Sequence, residues 1–104
     1  MADLSPVAGS GQAGRCPVVV VSSPFFASFP TAMAIVVPLT TQDRGLPHHT
    51  LVSSAQCGLD RPGWARTDDV RTICEHRLTG RPLGTVTDRE AADIRTYLRL
   101  MLDI

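Results

Sequence analysis

The chain contains no lysine; all ten of its basic residues are arginines. Either a compositional bias or a use for planar, bidentate phosphate contacts would account for that. Ten acidic residues balance them, so the formal net charge is zero and no global basic field gathers nucleic acid. Long apolar runs are also absent. Val18 to Val21 and Ala32 to Leu39 fall well short of the roughly 20 residues of a membrane-spanning helix, so no membrane partner is expected. The N-terminus lacks the basic start and apolar segment of a secretory leader, and a cytoplasmic location is the expectation. Cys16, Cys57 and Cys74 are odd in number and show no C-x-x-C spacing. That pattern fits reduced thiols rather than a disulfide framework or a zinc site. The 104 residues make one domain, residues 1–104, able to bury a modest core without staples.

What is present begins with Gly9, Gly11 and Gly14, spaced as G-x-G-x-x-G. A dinucleotide fingerprint needs a strand before it and a helix after it, so that the helix N-terminus faces a pyrophosphate. Eight residues with Pro6 among them precede Gly9, and the β-branched run Val18 to Val21 follows. Neither flank fits. The stretch reads instead as a glycine-rich loop, either simply mobile or shaped to approach a ligand closely.

Along the chain, residues 1–15 read as a loop and Pro17 to Ser22 as a strand. Residues 23–31, with two prolines and three phenylalanines, read as an apolar loop or flap. Met33 to Thr40 is a buried strand, with Pro38 at an edge or bulge. Gly45 and Pro47 mark a turn, Thr50 to Ser53 is a short strand, and residues 58–63 form a loop. Trp64 to Cys74 reads as one strand, Glu75 to Leu78 as a helical turn, and Arg81 to Val86 as a last strand. The period then changes. Thr87 and Glu90 have capping-box spacing, and Ala91, Ile94, Leu98 and Met101 recur at helical spacing to about residue 102. Short strands plus one terminal helix predict a mainly β fold, a small twisted sheet or barrel with the helix packed on it.

Within a strand from Trp64 to Cys74, Arg66 and Asp68 share a face about 6–7 Å apart. A cation and a carboxylate so placed could bracket a phosphate, or form a structural ion pair. Thr40 and Thr41 offer hydroxyls to a phosphate, or simply end a strand. His48 and His49, as neighbours in an extended segment, point to opposite sides. Further ligands at metal-binding spacing are not evident, so no metal is expected. Either they are loop histidines or they meet RNA bases. Phe25, Phe26 and Phe29 suit core or interface as well as base stacking.

The ordered series GQAGRCPVVVVS, IVVPLTT, RGLPHH, GLDRPGWARTDDVRTI, HRLTGRPLGTVT and YLRLMLDI, from residue 3 to 104, resembles the MazF/PemK (Kid) toxins of toxin–antitoxin modules. The resemblance implies an SH3-like barrel of the CcdB/PemK/MazF type with a C-terminal helix. It implies a homodimer and a metal-independent endoribonuclease without cofactor, with single-stranded RNA as substrate and a MazE-like antitoxin as partner. In that chemistry the 2′-OH attacks the adjacent phosphate, giving a 2′,3′-cyclic phosphate and a 5′-OH. Carried over, Asp68 is the general base, Arg66 the general acid or charge stabiliser, and Thr40 and Thr41 contact the scissile phosphate. Ser10 falls where some relatives have histidine, and Gln12 matches a common loop glutamine. With Arg15, Arg44 and His48 they make up the expected RNA-binding set.

Two departures stand out. Cys16 occupies the position before proline where the family usually has arginine, with Arg15 one residue earlier. A thiol cannot offer the fixed charge of a guanidinium, and a one-residue shift turns a side chain to the other face unless the loop glycines compensate. A slow ribonuclease is the expectation. Secondly, the family usually starts with a strand of the type G-x-[VI]-W-x-x-D-L, of which Met1 to Leu4 would be only the end. That leaves either a late start or a barrel short of one strand. The competing reading is therefore a catalytically weak toxin-fold protein that only sequesters antitoxin. A gyrase poison would need a tryptophan-bearing C-terminal tip, and this chain ends Met-Leu-Asp-Ile.

Overall fold

The computed structural model describes residues 6–10 and 16–104, with side chains at all of these except 10 and 79–81. Among the described residues seven strands form one antiparallel sheet: β1 (Pro6–Ser10), β2 (Cys16–Val20), β3 (Met33–Thr40), β4 (His49–Val52), β5 (Gly63–Arg66), β6 (Arg71–Cys74) and β7 (Leu78–Thr85). Their order is β4-β5-β3-β2-β1-β7. The eight-residue β3 is the spine. One edge pairs with β2, and the other is shared by β6 along Met33–Val36 and β5 at Leu39–Thr40. Splitting that edge between two strands bends the sheet, which curls into a half-barrel closed on one side by helix α2 (Asp88–Leu102).

Alternation along β1, β2 and β3 sends Val7, Val19, Val37 and Leu39 inward. There they meet Val52, Ala65, Val86 and the α2 residues Ala91 and Ile94. The capping box forms: the Thr87 hydroxyl accepts from the Glu90 amide at 3.0 Å, and Glu90 accepts from the Thr87 amide at 2.9 Å. Of the expected helical stripe, Ala91 and Ile94 are buried, Leu98 packs at the margin and Met101 is exposed. The stripe leaves the core in the last turn.

Three expectations need correction. Residues 6–10, read as loop, form β1, because pairing to β2 on one edge and β7 on the other outweighs the poor strand propensity of proline and glycine. The flap at 23–31 contains the single helical turn α1 (Pro24–Ala27), capped by the Ser23 hydroxyl, with Phe25 74% exposed. The strand from Trp64 to Cys74 is two strands, broken by a 3-10 turn at Thr67–Asp69. Thr67 causes the break: it is fully buried, and its hydroxyl donates to the His48 carbonyl at 2.7 Å.

Candidate active site

The 3-10 turn decides the site. Strand alternation would have placed Arg66 and Asp68 on one face, but the turn swings Asp68 back over the start of β4. Asp68 Oδ1 lies 3.5 Å from His48 Nε2 and 3.7 Å from His49 Nε2. His48 sits in the turn just before β4 and is not extended, so the two imidazoles do not point apart as expected. They meet edge to face, with ring centroids 4.8 Å apart and planes at 83°. The sequence argument that no further metal-type ligand accompanies the histidines is thereby corrected, because Asp68 joins them through space.

Arg66 stands opposite His49 across the β4–β5 ladder. Its Nη1 is 3.5 Å from Asp69 Oδ2, an oxygen already taken by Arg71 Nη2 at 2.6 Å. The expected Arg66–Asp68 pair is thus replaced by Arg66–Asp69, and Arg66 is held loosely. Among the described residues, the buried side-chain nitrogens and oxygens without a hydrogen-bond partner are His48 Nε2, His49 Nδ1, Arg66 Nε and the Thr50 hydroxyl. Three of the four belong to this cluster, and Thr50 is on the other face of β4. Unmatched buried polar atoms are costly, and their concentration in one place marks a surface prepared for a polar ligand.

Electrostatics follow from the packing. Burial pushes the Asp68 carboxyl up, but its own backbone N–H and the neighbouring His48 and His49 hold it below the ordinary 3.8, so it is an anion at neutral pH. Burial pushes the His49 imidazole below its ordinary 6.5, and His48 adds to this; Asp68 partly offsets it, while Arg44 and Arg66 push the same way. Arg44 thus belongs to the same neighbourhood, its Nη2 donating to Gln42 Oε1 at 3.3 Å.

The threonines form a second station. Thr40 opposes Trp64, two residues along β5 from Arg66, which puts the Thr40 and Arg66 backbones about 8 Å apart on one face. The Thr40 hydroxyl accepts from the Gln42 amide at 3.2 Å. Thr40 and Thr41 line a cleft of about 380 Å³ with Gly9, Pro17 and the loop residues Asp60 and Arg61. Arg66 and Asp68 do not line it. Ser10 pairs with Cys16 across the β1–β2 ladder, and continuing the β2–β3 register would set Cys16 opposite Thr40. Gln12 and Arg15 lie outside the described residues.

Sequence reading therefore found Arg44, His48, Arg66 and Asp68, which the fold brings together, and Thr40, which lies beside them. It missed His49 as a direct neighbour of Asp68, and Arg61 at the cleft. The histidine pair reads either as loop or as RNA-contacting, with no sign that it meets Asp68, and an arginine in a G-L-D-R-P-G loop reads as ordinary surface.

A family model described as PemK-like, MazF-like toxin of type II toxin–antitoxin systems matches residues 1–102. The endoribonuclease toxin MazF of Escherichia coli K12 is 35% identical over 100 residues, covering 96% of this chain and 86% of that protein. A solved endoribonuclease in complex with its cognate antitoxin, from a mycobacterial species, superposes with a TM-score of 0.75 at 27% identity, covering 97% of this chain and 92% of the other. A MazE–MazF structure from Deinococcus radiodurans, at 20% identity, shares the fold with a TM-score of 0.82 over 99% of this chain and 96% of the other. Family match, identity and fold agree, and the chain belongs to the PemK-like, MazF-like toxins of type II toxin–antitoxin systems.

Proposed function

We propose that this chain, a MazF-type endoribonuclease toxin of a toxin–antitoxin module, cuts single-stranded RNA with Asp68 and Arg66 as its central residues. The observation that carries the assignment is how loosely the charged groups of the site are held. An ionised carboxylate stands within 4 Å of two imidazoles without a short hydrogen bond to either, beside a guanidinium whose Nε has no partner.

Asp68 accepts the proton of a ribose 2′-OH, whose oxygen attacks the adjacent phosphorus. The P–O5′ bond breaks and the departing O5′ takes a proton from solvent water, leaving a 2′,3′-cyclic phosphate and a 5′-OH, while Asp68 returns its proton to solvent. Arg66 stabilises the extra negative charge on the phosphorane, which the shared and distant Asp69 leaves it free to do. Thr40, and Thr41 at the cleft, position the phosphate, while Arg44 and His48 hold the flanking nucleotides. Ser10, Gln12 and Arg15 are assigned to the same RNA path from the sequence motif. A second copy of the chain and a MazE-like antitoxin are its protein partners. An apolar groove of about 760 Å³, lined by Ala8, Val20, Met33, Leu78 and Leu98 among others, supports protein docking, as does the antitoxin complex of the mycobacterial relative.

The test is end analysis of a long single-stranded RNA incubated with the purified protein in EDTA. Cleavage leaving 5′-OH and cyclic phosphate ends is expected. Products bearing 5′-phosphate would rule out 2′-OH attack, and no cleavage at all would favour the antitoxin-sequestering reading.

A further inference from the structure

The three ligand atoms of His48, His49 and Asp68 all lie within 4.8 Å of one another. We propose that His48 Nε2, His49 Nε2 and Asp68 Oδ1 form a three-ligand site for a zinc-type divalent metal, and that the bound metal shuts off RNA cleavage by occupying Asp68. The second half rests on the reading of Asp68 as the proton acceptor; the first half does not.

The spacing is the main reason. At 3.5 and 3.7 Å the two imidazole nitrogens are too far from the carboxylate oxygen for good hydrogen bonds, which need roughly 2.7–3.2 Å. Three groups are held around one point with long contacts and no short hydrogen bond between them. In a tetrahedral zinc site, bond lengths of about 2.0–2.1 Å put neighbouring ligand atoms roughly 3.3–3.4 Å apart. The two separations from Asp68 exceed that edge by only a few tenths of an ångström, while the two imidazole nitrogens, within 4.8 Å of each other, must close further by rotation of the more exposed His48 ring.

Burial and chemistry agree with the spacing. The His49 side chain is 2% exposed and that of His48 is 22% exposed, so both rings are held by packing. His48 Nε2 is buried with no hydrogen-bond partner, and a metal ion would supply one. Asp68 is 45% exposed, which leaves the fourth direction open to water. Two imidazoles and one carboxylate suit zinc, cobalt, nickel or copper rather than magnesium or calcium, which prefer all-oxygen shells.

The consequence is competition. A carboxylate bound to a divalent cation cannot take a proton from a 2′-OH, and the metal would sit where the attacking ribose must approach. Cleavage needs no metal on this account, and zinc is an inhibitor removed by chelation.

The experiment uses the full chain and two readouts. Zinc binding is measured by calorimetry on chelator-treated protein, and Co²⁺ reports coordination through its visible absorption. Single-turnover RNA cleavage is then compared in EDTA and with one equivalent of Zn²⁺, as a ratio within each protein. One Zn²⁺ per chain is expected, with intense tetrahedral Co²⁺ bands and at least a roughly tenfold loss of rate that EDTA reverses. His48→Gln, checked for native circular dichroism because His49 is the more buried and riskier target, should weaken zinc at least about tenfold and abolish its effect on the rate ratio. That is no less than the roughly 10- to 100-fold cost of losing an outer-shell partner. Absence of binding in the unaltered protein overturns the site. So does binding that His48→Gln leaves intact, which would place the metal on the thiols of Cys16 or Cys74 instead. Stimulated cleavage overturns inhibition. Zinc bound without any rate change also overturns it when Asp68→Asn is inactive; when Asp68→Asn is fully active, the base assignment fails and the site stands on its binding data alone.

Discussion

Glu90 ties the closing helix to the end of the strand that carries His49, and removing it should be strongly destabilising. Its carboxylate accepts from the amides of Ser53, Ser54 and Thr87 and from the Ser54 hydroxyl, at 2.9 to 3.2 Å. Ser53 and Ser54 directly follow β4. In Glu90→Ala the helix keeps the Thr87 hydroxyl cap but loses the returning half of its capping box. Three amides lose a charged acceptor; each is only partly buried, so water recovers much of the roughly 1.5–3 kcal/mol that a charged hydrogen bond contributes. A total of about 3–4 kcal/mol follows, out of the roughly 5–15 kcal/mol expected for a domain. At about 4–8 °C per kcal/mol the melting temperature should fall by roughly 12–30 °C. Burial pushes the Glu90 carboxyl up, but its four hydrogen bonds outweigh this and hold it below the ordinary 4.5. The folded pKa is therefore depressed: the stabilisation is complete above the unfolded value and disappears as pH falls through the folded one. Thermal melts of the unaltered protein, Glu90→Ala and Glu90→Gln from pH 7 to pH 3 provide the assay. The advantage of the unaltered protein over Glu90→Gln should be constant above about pH 5 and shrink below 4.5. A melting shift under about 4 °C for Glu90→Ala, or an advantage that grows on acidification, would refute the reasoning.

Cys16 pairs with Ser10, and continuing the β2–β3 register would set it opposite Thr40, so Cys16→Arg should bring a guanidinium to the substrate face and raise single-turnover cleavage at least about tenfold, or ~1.4 kcal/mol of barrier. Arg15→Ala in the original background should lower the rate. An unchanged rate in the first with complete loss in the second would show that Arg15 already fills the arginine role. Gly58 has a positive φ of 73° and a Cβ there would overlap the Leu83 backbone carbonyl, so Gly58→Ala should destabilise by more than ~1 kcal/mol, the strain cost of a left-handed non-glycine residue. Urea denaturation with an unchanged midpoint would contradict that contact.

Much of the fold could be read from the sequence because periodicity reports burial directly. Pro17 to Ser22 reads as a strand and β2 runs Cys16–Val20, while Met33 to Thr40 and the capping box at Thr87 and Glu90 form the elements they predict. The failures share a cause, which is that tertiary contacts overrode local pattern. Pro6–Ser10 has little strand propensity yet is paired on both edges. Residues 64–74 alternate well enough for one strand, but the buried Thr67 hydroxyl needs the His48 carbonyl, and meeting that need forces a turn. The same turn explains the site. Arg66 and Asp68 were legible as candidates through the family motif, but their partners, Asp69 for one and the histidine pair for the other, depend on a chain reversal that strand alternation cannot express.

The central claim is that the Asp68 carboxylate takes the 2′-OH proton. Asp68→Asn keeps the size of the side chain and removes only the basic oxygen, so it isolates that step. The measurement is the single-turnover rate of cleavage of one single-stranded RNA in EDTA, with a melting scan on the same preparations. The account predicts a rate lower by at least about 100-fold, the lower range for a general base, with a native melt. Cleavage by Asp68→Asn at the rate of the unaltered protein would contradict it.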